Sequence, residues 1–88
     1  MAEIDVSGIG EGIFRVEVEE GGTTSAHEVT VNPDDLAVLS GGSGAELVEA
    51  SFRFLLDREP KESILSRFDL KVIERYFPEF PDRIGDYL

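Results

Sequence analysis

The sequence predicts a single α+β domain over residues 1–88: an N-terminal antiparallel β-hairpin, three-stranded if its first segment also pairs, packed against three or four short C-terminal helices. Three observations predict it. Apolar side chains occupy every second position in two early runs, Phe14–Val18 and His27–Val31, which is the spacing of half-buried strands. Beyond Asn32 the apolar spacing changes to threes and fours, as on a helix face. Helix start and stop residues then recur at Pro33, Ser43, Pro60 and Pro78. The chain thus divides into a hairpin region (1–31), a helical region (32–77) and a tail (78–88).

In "EIDVS", Ile4 and Val6 offer a third strand, and the glycines at 8, 10 and 12 predict a bulge or bend after it. "GIFRVEVEE" sets Phe14, Val16 and Val18 against Arg15, Glu17 and Glu19. "SAHEVTVN" sets His27, Val29 and Val31 against Glu28 and Thr30, and the turn chemistry of "EGGTTS" between them makes a hairpin. Asn32 caps a short helix that begins at Pro33, carries Asp34 and Asp35 near its positive end and stops at Gly41. After "GGSG", Ser43 and Glu46 have capping-box spacing. The helix they open runs to about Asp57, with Leu47, Val48, Phe52, Leu55 and Leu56 inward.

Residues 61–77 admit one helix or two. Pro60 suits a helix start, and Ile64, Leu65 and Phe68 form an inward stripe. Asp69 caps a separate last helix, the preferred reading, which holds Val72, Ile73, Tyr76 and Phe77 inside and ends at Pro78. In the tail, Phe80, Ile84, Tyr87 and Leu88 either wrap back over a small core, the preferred arrangement, or anchor a partner.

The block "ASFRFLLDREPKESILSRFDLKVIERYFPEF" resembles the C-terminal block of small uncharacterised prokaryotic proteins in which FLLxRE is followed by PxxSIL, FDLxVI and YFPEF. It spans about a third of the chain. The resemblance implies a compact unit of strands followed by helices and carries no activity or catalytic residues with it.

Composition narrows the function classes. The absence of cysteine excludes a disulfide framework and thiolate metal sites. The start "MAEIDVSGIG" lacks the basic and apolar regions of a signal peptide, and no apolar run approaches the roughly 18 residues of a membrane span. A cytoplasmic protein without membrane attachment is expected. The formal net charge is -11, and residues 1–50 hold eleven acids against Arg15 alone, while residues 51–88 hold eight acids and seven bases. An acidic surface poor in lysine also occurs in proteins adapted to high salt.

The glycines of "SGIGEGIF" are spaced G-x-G-x-G, without the G-x-G-x-x-G pattern or a following lysine, so a bend accounts for them better than a phosphate cradle. His27, the only histidine, has no evident orienting partner and reads as a hydrogen-bonded residue at the sheet margin. No serine sits in a G-x-S-x-G elbow. Glu17, Glu19, Glu20 and Glu28 alternate outward as a solvated face and do not form a calcium loop. No catalytic residue, cofactor, metal or small-molecule substrate is indicated.

Arg67, Lys71 and Arg75 lie four apart and would form a cationic stripe on a continuous helix. Three readings apply: pairing with neighbouring acids, contact with the acidic hairpin of a second copy, or contact with nucleic acid, which the net charge disfavours. The expectation is therefore a non-catalytic protein-interaction or regulatory module able to form a homodimer. Its partner-binding residues would be Arg67, Lys71, Arg75, Tyr76, Phe77, Phe80 and Tyr87, with a nucleic-acid-associated regulator as the alternative.

Overall fold

The computed structural model describes residues 2–39 and 43–88. Three strands, β1 (Glu3–Gly10), β2 (Ile13–Glu20) and β3 (Thr23–Thr30), run antiparallel in sequence order, so the third strand offered by "EIDVS" forms. Gly21 and Gly22, at φ 65 and 82, supply the two positive φ values that let a tight turn join β2 to β3. The β1–β2 register slips between Gly8 and Gly10, as the glycine-rich stretch predicts. At Gly12, φ is 72 and an added Cβ would stand 2.9 Å from the Val31 carbonyl oxygen, so the turn requires glycine.

One sheet face is apolar and one is charged, as alternation dictates. Val16, Val18 and Val29 are fully buried on the inner face. On the outer face the register sets Glu3 opposite Glu19 and Asp5 opposite Glu17, which gathers four acids at one end of the sheet. Like charges in directly opposed positions repel, so this end favours solvent and counter-ions over a second acidic surface. At the other end charges alternate, with Arg15 opposite Glu28 and Glu28 opposite Arg67.

The chain leaves β3 through α1 (Pro33–Leu39) and enters α2 (Gly44–Leu56). The predicted start of α1 at Pro33 is found, while its predicted stop at Gly41 lies outside the described residues. Ser43 caps α2, its Oγ accepting from the Glu46 amide at 3.1 Å. Phe52 and Phe54 lie about 200° apart around α2, yet both are fully buried. Phe52 packs toward the sheet, with its ring centroid 5.2 Å from His27 and 6.0 Å from Phe68. Phe54 packs away from it, against Phe77, Phe80 and Tyr87. The helix is thus a middle layer between the sheet and the C-terminal segment. Each fully buried Phe contributes roughly 1.5–3 kcal/mol.

Residues 61–69 depart from the predicted helix. A single 3-10 turn, Lys61–Ser63, is followed by β4 (Arg67–Asp69), which pairs parallel to β3 at the sheet edge. The Glu28 amide donates to the Ser66 carbonyl at 2.8 Å and the Leu70 amide to the Thr30 carbonyl at 2.9 Å. A parallel neighbour requires a long crossover, and α1 and α2 supply it. Of the predicted inward stripe, Ile64 and Phe68 are buried but Leu65 is 48% exposed, because an extended chain turns alternate side chains outward.

The last segment comprises α3 (Val72–Tyr76), α4 (Phe80–Arg83) and a closing 3-10 turn at Ile84–Asp86. Asp69 does not cap α3, which begins three residues later. Its carboxylate instead accepts from the Asn32 Nδ2 and the Lys71 amide, tying the β4 exit to the β3 exit. The tail wraps back: Phe80 and Ile84 are buried, and the Tyr87 hydroxyl donates to the Asp57 carboxylate at 2.6 Å. The Arg58 guanidinium lies 3.6 Å over the Phe54 ring and donates to Glu79, closing the same corner. Among the described residues, no helix is long and apolar enough to cross a membrane.

Candidate functional site

Among the described residues the fold leaves an apolar groove open. Where α2 ends, Leu55 and Glu59 form one wall; Ile64, Leu65 and Phe68 from the extended segment form the floor and one rim; Val72, Ile73 and Tyr76 of α3, with Phe77 just after it, close the other side. The groove has a volume of about 160 Å³, close to that of an apolar cavity that accepts a benzene ring. Leu65 and Tyr76, large side chains 48% and 67% exposed, flank it. Leu65 owes its exposure to the extended lead-in to β4, which turns it outward.

Glu59 is the sole carboxylate lining this groove. Burial raises its carboxyl above the ordinary range, since the charged form loses water there. Among the described residues it has no ion-pair or side-chain hydrogen-bond partner. Lys71 and Arg75 lie one turn apart at the start and end of α3, outside the groove lining. Neither forms an ion pair with a described residue.

The predicted partner-binding residues separate into three places. Arg67 sits on β4, with its Nε 3.3 Å from the Glu28 carboxylate, so it shares no helix face with Lys71 and Arg75. The three-residue stripe therefore does not exist as one surface. Tyr76 and Phe77 line the groove. Phe80 is 1% exposed and belongs to the core beside Phe54, and Tyr87 is half-buried with its hydroxyl between Asp57 and Arg58. Phe80 is thus corrected from an anchor to a core residue, because the tail folds back onto the outer face of α2. Tyr76, predicted inside, is corrected to the exposed rim.

His27 is buried and saturated. Its Nδ1 lies 2.8 Å from the Leu65 carbonyl and its Nε2 lies 2.8 Å from the Ser25 Oγ. A carbonyl only accepts, so Nδ1 carries the proton, and in the neutral ring Nε2 accepts from the serine. This pairing holds Leu65, the groove rim, against β3. Lys61 is also buried, with its Nζ donating to Thr23 Oγ1 and the Glu62 carboxylate, which ties the 3-10 turn to the β2–β3 hairpin. Among the described residues no three His, Asp or Glu side chains group as a metal would need.

Sequence reasoning missed Leu65 and Glu59 as groove residues. The alternation Phe68, Leu70 against Arg67, Asp69 was the signal for β4, and with it for an outward Leu65. No comparable signal marks Glu59. No known protein family, no curated protein and no solved structure matches this chain.

Proposed function

We propose that this protein is a non-catalytic interaction module that takes an apolar side chain of a protein partner into the groove between α2, β4 and α3. The observation that carries the reading is the exposure of Leu65 and Tyr76 at the rim of a concave apolar surface. Isolated exposed apolar residues need no explanation, but two that border an open apolar groove form a patch of interface composition. The acidic end of the sheet supplies solubility and turns the groove away from other acidic surfaces. A cytoplasmic setting suits a chain without cysteine.

Site-directed photo-crosslinking tests this in the cells that make the protein. A photoreactive phenylalanine analogue at position 65 or 76 is expected to yield a discrete crosslinked protein, and the same group at position 17 or 24 on the open sheet face is not. Equal crosslinking from both faces, or none from the groove, overturns the reading.

A further inference from the structure

We infer that the occupant of the groove is a second copy of this chain, docked two-fold symmetrically so that Tyr76 of each copy enters the groove of the other and Arg75 faces Glu59 across the contact. The inference rests on the docking reading above and names its partner.

Charge distribution carries it. Residues 59–77 hold four acids and four bases, whereas the whole chain carries -11, so the entire excess of negative charge lies elsewhere. A strongly basic partner would be drawn to that acidic remainder, above all to the Glu3, Asp5, Glu17 and Glu19 end of the sheet, and not to the electrically balanced groove. A two-fold contact has a different requirement: one patch must complement itself. This patch does so. It holds a cavity of about 160 Å³ and exposed side chains of a size to enter it, Leu65 and Tyr76. Glu59 lines the cavity as a half-buried acid, and Arg75 adjoins the rim residue Tyr76 on α3; neither has an ion-pair partner among the described residues. The open groove and the acid that lines it thus each have a complement on this patch or beside it.

The acidic remainder sets the salt response. At about 0.1 M salt the Debye length of roughly 10 Å is a large part of a molecule 35 × 28 × 20 Å across, so the excess acids of two docked copies still repel one another. Added salt screens the repulsion between two acidic bodies more than it weakens a close Glu59–Arg75 pair. Association through the groove therefore tightens with salt.

The test uses the purified full chain in light scattering after size exclusion, loaded at about 0.02 to 1 mM, with circular dichroism as the control for folding. The mass is expected to approach twice 9.7 kDa at the upper end and to do so at lower loading as salt rises from about 0.05 to 0.5 M. Glu59→Arg and Arg75→Glu are each expected to weaken association about tenfold. Mixed in equal amounts they regain a dimer, because the introduced cation of one faces the introduced acid of the other. If Glu59→Arg fails to fold, Lys71→Glu with Arg75→Glu still reports loss of the dimer. A wild-type monomer throughout, variants that associate like the wild type, or a dimer that dissolves as salt rises each overturn the inference. A monomer whose groove positions crosslink a heavier protein in cells overturns the second copy and leaves the docking reading standing; absence of groove crosslinks removes both.

Discussion

His27 on β3 donates its Nδ1 proton to the Leu65 carbonyl at 2.8 Å, across 38 residues of sequence. That bond fixes the rim of the groove to the sheet, and the ring also packs on Phe52. His27→Ala removes two buried hydrogen bonds and leaves a void. It is expected to cost about 2–4 kcal/mol in urea unfolding. Hydrogen exchange should speed up first at the Glu28 and Leu70 amides, which hold β4 to β3. Loss spread evenly over all strands would contradict the latch.

The four C-terminal aromatics have opposite duties despite similar sequence context. Phe80→Ala is expected to cost about 3–5 kcal/mol, since its side chain fills the core beside Phe54. Tyr76→Ala is expected to change monomer stability by less than about 0.5 kcal/mol, because its ring lies mostly in water. Thermal or urea unfolding of the two variants side by side measures the contrast. Equal destabilisation would place Tyr76 in the core.

Gly12 turns at φ 72 beneath the Val31 carbonyl. Gly12→Ala is expected to cost about 1–3 kcal/mol through the strained φ and the close approach of its Cβ. An unchanged urea midpoint would mean that the β1–β2 turn does not need this conformation.

Glu59 and Glu79 should respond oppositely to pH. Burial raises the Glu59 carboxyl above its unfolded value. Between the two values the native state binds more proton than the unfolded chain, so the contribution of this group to stability falls as pH rises through that window. Glu59→Gln is expected to raise the urea midpoint at pH 7, measured at about 2 µM, and to lose that advantage below about pH 4. Glu79 is held low by its own backbone amide and by Arg58. Its contribution is present above the ordinary carboxylate range and is lost as pH falls through its native value. Glu79→Gln is therefore expected to lower the midpoint at pH 7, an effect that fades as the pH falls through the native value of the carboxyl. A Glu59→Gln variant that is less stable at pH 7 would mean that the carboxylate has a partner.

Local patterns in the sequence carried much of the fold. Alternation at Phe14–Val18 and His27–Val31 announces two strands, and the Ser43–Glu46 spacing announces α2 to within a residue. What local pattern could not announce is partnership across the chain. The short alternation of Phe68 and Leu70 with Arg67 and Asp69 competes with a helical spacing to Ile64 and Val72, and pairing to β3 decides for the strand. Phe54 reads as the wrong face of an amphipathic helix until the tail returns to cover it. The candidate site suffered most, since the groove exists only where three separated segments meet. Of the predicted partner residues, Tyr76 and Phe77 line it, while Phe80 is used in the core.

The most direct measurement of the central claim is a dilution series of the isotope-labelled chain, from about 1 mM to about 10 µM, followed by amide and methyl chemical shifts. Docking through the groove predicts concentration-dependent shifts confined to Leu65, Phe68, Val72, Tyr76 and their neighbours, with Glu17 and Thr24 on the open sheet face unmoved. Shifts centred on the acidic sheet face, or none over the whole range, would contradict it.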